Sequence, residues 1–330
     1  VLLIGLGFMI EAFLPIFLGV LLAQIIWGIG YTFVSGAREA WLTDEVGEDK
    51  VGRIFIKGQQ ISQIGSLIGI FFSVLLASIN IRLPIFLGGL LYSSQSLFLY
   101  FFMREDNFHP VKSSERNSFQ KMTDTFMRGL KLINKEKILI MILVIGGVFG
   151  MFSEGFDRLW TIHLLKNFNF PSIGNFKPVI WFGIISAVAM LITAFATEFT
   201  KRKIDTNDYQ SVTKSLFIVN ALIIIGVLIF GFATSFYTAI FAYWLIYLMR
   251  ETNDPVYTIW VNQSLNPSIR ATVLSMASQA NAIGQIIGGP IIGIFATFIS
   301  LRFAIIIGGI VLLPILFLYR LPRPAKRASQ

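Results

Sequence analysis

The sequence predicts an all-α membrane protein, a polytopic bundle of about ten transmembrane helices. Hydrophobic residues make up 55% of its 330 residues and charged residues only 14%, whereas soluble domains carry roughly 25% charged residues. Most of the apolar stretches continue for about twenty residues or more, enough for a helix to cross a hydrocarbon core roughly 30 Å thick. A membrane β-barrel would instead require short segments of alternating polarity.

The apolar spans follow one another along the chain with few residues between them. Several junctions carry a proline, which favours a turn and ends the preceding helix: Pro15, Pro84, Pro171 and Pro267. The predicted spans are residues 1–14, 15–43, 54–79, 83–103, 138–165, 177–200, 212–233, 236–262, 269–298 and 302–320.

Lysine and arginine are concentrated in every second gap between spans, and this predicts the orientation. Cytoplasmic loops carry an excess of positive charge, and the loops of the opposite side hold only Arg82, Lys166, Lys177 and Arg302. We therefore expect a multi-pass protein of the cell membrane with a cytoplasmic C-terminus. A net charge of +9 could also suggest nucleic acid, but basic residues placed between apolar spans indicate the lipid bilayer as the partner.

The longest loop, residues 104–137, divides the chain into two bundles. Four spans in 1–103 form the first bundle, six spans in 138–320 form the second, and 321–330 form a cytoplasmic tail. Apolar residues recur in the loop at helical spacing, among basic ones, at Phe119, Met122, Phe126 and Leu130. This pattern is typical of an amphipathic helix at the inner leaflet, and a linker covering a hinge fits it equally.

Ionisable residues inside the spans are the first functional candidates, because each costs about 2.5–3.5 kcal/mol in a bilayer unless it is paired or hydrated. In the fifth span, Glu154 and Arg158 are four residues apart on one face, in the favourable order for an ion pair. Asp157 is left without a partner on its own helix, and a low dielectric favours the protonated form of such a carboxylate. We predict proton or substrate handling by Glu154, Asp157 and Arg158, placed in the outer half of the membrane. The alternative is a structural ion-pair network lining a water-filled vestibule.

Two further charged clusters are predicted as gates or latches. The eighth span carries Arg250, Glu251 and Asp254 in its inner half, with a kink expected at Asp254-Pro255; these residues form either an inner gate or substrate contact, or a salt bridge between the halves. The second span carries a cluster near its cytoplasmic end, for which a structural latch is expected: Arg38, Glu39 and Asp44.

Other charged or titratable residues of the spans are predicted to have interfacial positions. Glu11, Lys57 and Glu198 lie within a few turns of helix ends, where long side chains can reach the water. His163 is near an outer helix end and is expected to be solvated.

Glycines spaced four apart are predicted to let helices pack closely. Gly65 and Gly69 lie in the third span, and Gly284 and Gly288 lie in the ninth, where Pro290 is expected to bend the helix. The pairs Arg38-Glu39 and Arg250-Glu251 recur one span before these glycines. The two halves are therefore expected to be related, a property of secondary transporters.

The residues for several other functions are missing from the sequence. It contains no cysteine and only two histidines, which excludes a thiolate metal site and a histidine-rich one. It has no glycine-rich phosphate loop and no zinc-protease or serine-hydrolase signature. We expect no cofactor, no metal and no enzyme activity.

Three segments resemble the major facilitator superfamily, in particular bacterial drug-efflux members such as the macrolide and tetracycline exporters. They are residues 35–44 (SGAREAWLTD), residues 154–160 (EGFDRLW) and residues 266–275 (NPSIRATVLS). Members of the family have twelve helices in two halves of six, so the resemblance implies that this chain holds the third to the twelfth. The long loop 104–137 then corresponds to the central loop of the family.

The resemblance implies a secondary active transporter that exports a small amphipathic compound by alternating access, with protons as the coupling ion. On this interpretation the chain is an antiporter whose partners are the lipid bilayer, a small-molecule substrate and protons. The alternative is a polytopic receptor that transports nothing, or an enzyme embedded in the membrane. Such an enzyme would need a catalytic set facing one cavity, such as paired aspartates, a histidine cluster or a Ser-Lys dyad.

Overall fold

The computed structural model describes residues 1–34, 37–103, 137–171, 177–203, 208–265 and 267–320. The amphipathic segment predicted within 104–137 lies outside the described residues except for Lys137, and so does the tail 321–330. Within the described ranges the backbone forms helices and no strand, which confirms the predicted all-α class. The helices are α1 (Leu2–Phe13), α2 (Phe17–Val34), α3 (Ala37–Val46), α4 (Glu48–Ile79), α5 (Arg82–Phe102), α6 (Lys137–Asn167), α7 (Pro178–Lys203), α8 (Tyr209–Phe232), α9 (Phe236–Ser264), α10 (Pro267–Phe298), α11 (Leu301–Val311) and α12 (Leu313–Arg320).

Seven segments of the described chain are long and apolar enough to cross a membrane: Phe17–Val34, Ile61–Ile79, Arg82–Phe102, Ile138–Asn167, Tyr209–Phe232, Val273–Phe298 and Leu301–Arg320. Helix α9 is not among them, and its sequence contains Arg250, Glu251 and Asp254. Helix α9 continues through Pro255, and α10 continues through Pro290.

Two of the predicted spans each correspond to two of these helices. Span 15–43 covers α2 and most of α3, residues 35 and 36 between them lie outside the described residues, and the four ionisable residues of α3 suit water better than hydrocarbon. Helix α3 ends at Gly47, whose positive φ of 87° favours glycine and allows α4 to begin at Glu48. Span 302–320 is divided at Leu312 into α11 and α12.

The chain divides into two units. The first comprises Val1–Ser114 and Ser172–Ala187, and the second comprises Glu115–Pro171 and Val188–Gln330. In the first unit, α1 packs against α2 and α5, and α4 packs against α5. In the second, α6 packs along α10, α8 packs along α9, and α11 contacts α6, α8 and α10.

Burial separates a packed interior from an apolar exterior. In the second unit, Ile142, Phe152 and Trp260 are fully buried. Other large apolar side chains, such as Phe17 in the first unit and Phe298 in the second, are about 80% exposed. Exposed apolar side chains on long helices are suited to lipid contact.

Candidate functional site

The second unit contains an ion pair between two of its long helices. The guanidinium of Arg250 on α9 donates from Nη1 and Nη2 to the two carboxylate oxygens of Asp157 on α6, at 2.5 and 2.9 Å. Such bidentate geometry is the strongest form of an arginine–carboxylate contact. The side chain of Arg250 is 21% exposed and that of Asp157 is 50% exposed, so the pair lies between the packed interior and an accessible space.

The pair corrects two sequence predictions. Asp157 was expected to have no partner, but helical spacing describes only one helix, and the partner lies on another. Asp157 and Arg250 were also placed in opposite halves of the membrane, whereas their contact puts them at one level. Helix α6 has 31 residues and a length of about 46 Å, which exceeds a hydrocarbon core of roughly 30 Å, so a depth counted from one end of the helix does not fix the level of a residue in the membrane.

The third member of the predicted cluster, Arg158, lies apart from Arg250. Its Nε donates to Glu154 at 2.8 Å, four residues earlier on α6. The Arg158 side chain is 75% exposed and that of Glu154 is 25% exposed. The structure therefore separates the residues predicted on α6 into a local pair and a pair with another helix.

A cavity of about 220 Å³ adjoins the ion pair. We call it the acidic cavity, because three carboxylates and one guanidinium line it. Its lining also includes four aromatic side chains, and the whole set is Phe149, Phe156, Asp157, Tyr243, Tyr247, Arg250, Glu251 and Asp254. Two sequence predictions, the proton-handling cluster and the α9 gate cluster, thus contribute residues to one space.

A second cavity of about 370 Å³ shares Phe149 and Asp254 with the first. We call it the polar cavity, because amide and hydroxyl side chains of α9 and α10 line much of it: Asn253, Tyr257, Thr258, Ser278 and Asn281. Since the two cavities have lining residues in common, they are neighbours within the second unit.

Small residues bring α6 and α10 into backbone contact beside these cavities. A Cβ built on Gly288 would be 2.5 Å from Cα of Met151, and one built on Gly284 would overlap the carbonyl oxygen of Gly147. Asn281 of α10 donates to the carbonyl oxygen of Gly146 at 3.2 Å. Pro290 follows the second of these glycines on α10.

The remaining predicted residues belong to the first unit. Arg38 and Asp44 are exposed on α3, and the side chain of Glu39 lies outside the described residues. A Cβ built on Gly65 or Gly69 of α4 would meet no described atom within 4 Å.

Sequence reasoning missed several buried polar contacts of the second unit. His163, expected in solvent, is fully buried; its Nε2 bonds the carbonyl oxygen of Phe230 at 3.2 Å and its Nδ1 accepts from Asn167 at 3.1 Å. The expectation failed because the last turns of α6 pack against α8 rather than ending in water. Asn220 and Asn253 form a buried amide pair at 2.8 Å. A neutral amide inside an apolar span is the sequence signal for such a pair.

Among the described residues, no group of three or more histidine, aspartate or glutamate side chains is arranged to hold a metal ion. Glu11, predicted at the interface, accepts a hydrogen bond from Nε2 of Gln24 at 3.1 Å. It lines a small cavity of the first unit with Phe8 and Trp27, of about 170 Å³.

Comparison with known proteins supports the fold. No protein-family model matches the chain. The chain is 24% identical over 308 residues to the uncharacterized MFS-type transporter YxaM of Bacillus subtilis strain 168, a match that covers 91% of this chain and 72% of that protein. Among solved structures, it resembles a bacterial homologue of the human lysosomal transporter Spinster, with a TM-score of 0.70 and 13% identity over 96% of this chain and 80% of that one.

The chain has the fold of the major facilitator superfamily. It also resembles the fucose:proton symporter FucP of E. coli, with a TM-score of 0.58 and 13% identity over 96% of this chain and 81% of that one. These matched proteins are transporters and not enzymes, and they support a secondary transporter in a membrane.

Proposed function

We propose that the chain is a proton-coupled secondary transporter that exports a small amphipathic compound by alternating access. The observation that carries the proposal is the Asp157–Arg250 pair beside the acidic cavity. Charged groups inside a membrane span are energetically costly, and those that are present usually have a functional role. Fold similarity supports the transport class, and the resemblance to drug exporters supports the direction and the cargo.

Proton coupling follows from the chemistry of the pair. Asp157 is half exposed, so a proton can reach its carboxylate from the cavity. A neutral carboxyl group would lose the charge-assisted hydrogen bonds that hold Arg250. The guanidinium would then favour another carboxylate of the same cavity, such as Glu251 or Asp254. A ligand and a proton can thus compete for one set of charges, as coupled transport requires.

The other predicted roles belong to the same proposal. Glu154 takes up protons together with Asp157, Arg158 tunes both carboxylates, and Arg38, Glu39 and Asp44 latch the cytoplasmic side. The bundles 1–103 and 138–320, joined by 104–137, rock against each other, and the tail 321–330 lies in the cytoplasm.

The test is flux into proteoliposomes that contain the full chain under an imposed pH gradient. Three fluorescent xanthene dyes serve as cargo: rhodamine 6G, tetramethylrhodamine ethyl ester and fluorescein. We expect gradient-driven movement of at least one dye, and its loss in Asp157→Asn with the protein still inserted. Glu45→Gln removes a carboxylate from α3 in the first unit and serves as the control. Undiminished flux in Asp157→Asn would remove the proton-site assignment, and dye binding without flux would indicate a receptor.

A further inference from the structure

We infer that the neighbouring acidic and polar cavities together bind an aromatic organic cation that carries N–H donors. This inference rests on the proposed function, because it names the cargo class of the same site. Three independent features of the lining carry it: the state of its charges, the nature of its aromatic walls, and the direction of its hydrogen bonds.

The charges of the acidic cavity favour a cation. Arg250 already gives one N–H of each terminal nitrogen to Asp157, so that carboxylate compensates its positive charge and weakens its attraction for an anionic ligand. Glu251 and Asp254 also line the cavity, and both are exposed to it or to solvent. Once Asp157 and Arg250 neutralise each other, these two carboxylates give the space a net negative charge that attracts a cation.

Four aromatic side chains line the acidic cavity together with these charges. Among them, the rings of Phe156 and Tyr243 stack at 6.4 Å. The ring of Tyr247 lies 6.2 Å from that of Tyr243. Stacked aromatic faces beside carboxylates attract flat cations by ring electrostatics as well as by apolar contact.

The polar cavity is rich in hydrogen-bond acceptors. The hydroxyl groups of Tyr257, Thr258 and Ser278 each donate their single proton to a backbone carbonyl, at 3.3, 2.9 and 3.1 Å. Their oxygen lone pairs are left to accept from a ligand. A cation with N–H groups satisfies these acceptors, and a cation without them does not.

One buried donor completes the site. Asn253 is only 5% exposed and lines the polar cavity. Its Oδ1 accepts from Asn220 at 2.8 Å. Its Nδ2 carries two further N–H donors, so a ligand with an oxygen acceptor beside its cationic part can accept a hydrogen bond from Asn253.

The three dyes named above test each part of the inference, because they share the xanthene skeleton. Rhodamine 6G is a cation with N–H donors and an ester carbonyl, and tetramethylrhodamine ethyl ester is a similar cation whose nitrogens carry no hydrogen. Fluorescein is an anion. Binding is measured on the full chain in nanodiscs, above the signal of empty nanodiscs. We expect rhodamine 6G to bind roughly threefold to tenfold more tightly than the ester, the value of one net hydrogen bond, and fluorescein to bind most weakly.

Substitutions of residues that line the acidic cavity test whether rhodamine 6G binds there. Glu251→Gln combined with Asp254→Asn should weaken rhodamine 6G binding roughly tenfold, equivalent to about 1.4 kcal/mol, while Glu45→Gln in the other unit leaves it unchanged. Should the double variant fail to fold, Tyr247→Leu provides the second test. It should weaken binding several-fold, and Phe241→Leu on the same helix, where Phe241 is 63% exposed, should not.

The outcomes separate this inference from the proposed function. Tighter binding of fluorescein, equal binding of the two cations, binding of none of the dyes, or unchanged binding in a folded double variant or in Tyr247→Leu overturns the inference. Flux of fluorescein alone would overturn the inference and keep the transporter. Cavity-dependent binding of rhodamine 6G without flux would keep the inference and overturn the transporter.

Discussion

Replacement of Gly288 by alanine should destabilise the second unit, whereas the same change at Gly293 should not. A Cβ on Gly288 would be 2.5 Å from Cα and 2.6 Å from the carbonyl oxygen of Met151. Ordinary contact begins at 3.4 Å, so α6 and α10 would have to separate by about 0.9 Å. Because the opposing atoms belong to the backbone, no side-chain rotation can relieve the overlap.

The magnitude follows from two opposing terms. Alanine gains about 1 kcal/mol of helix propensity over glycine at either position, and overpacking costs about 1–3 kcal/mol. A Cβ on Gly293 would meet no described atom within 4 Å, so Gly293→Ala keeps the gain without the cost. The difference between the two variants is therefore the packing cost alone.

The assay is thermal unfolding of the purified full chain in detergent. We expect Gly288→Ala to have a lower apparent Tm than Gly293→Ala, by about 2–4 °C for each kcal/mol of packing cost. Equal melting temperatures would refute the close approach of α6 and α10, and with it the placement of the polar cavity, which both helices line.

Substitutions at three further contacts of the same unit test the packing of its helices. Asp157→Arg and Arg250→Asp should each lower the free energy of unfolding by about 1–2 kcal/mol. This loss is smaller than the 3–5 kcal/mol of a fully buried pair because Asp157 is half exposed. The double exchange should recover part of the loss, and additive losses would contradict the pairing. His163→Leu should lower the free energy of unfolding by about 1–3 kcal/mol, because it leaves a backbone carbonyl at the end of α8 unpaired; an unchanged Tm would contradict that contact. Trp260→Phe should lower the free energy of unfolding by about 0.5–1.5 kcal/mol beyond the effect of the smaller side chain, because the indole N–H donates to the Tyr209 hydroxyl. In a protein that already carries Tyr209→Phe, most of this extra loss should disappear.

The helices were predictable because their apolar composition is a local property of the chain. Contacts between helices have no such local signal. The spacing of Glu154 and Arg158 predicts their pair, because both lie on one helix.

The pair of Asp157 with Arg250, 93 residues away, depends on how α6 and α9 pack, which the periodicity of neither helix encodes. The burial of His163 escaped prediction for the same reason. A helix end that packs on a neighbour and one that reaches water can have the same sequence pattern.

The central claim is that protonation of Asp157 changes which side of the protein is open, and a distance measurement tests this claim without any cargo. The chain contains no cysteine, so Ile81→Cys and Ile299→Cys, both at exposed positions on the predicted outer side, can carry two spin labels on the full chain. A pair at Thr234 and Ile299, within the second unit, serves as the rigid control. Electron-spin distance distributions in acidic and alkaline buffer should differ for the first pair and not for the control, and Asp157→Asn should hold the acidic distribution at both pH values. The same distribution for the first pair at both pH values, in the protein with Asp157 intact, would contradict the account.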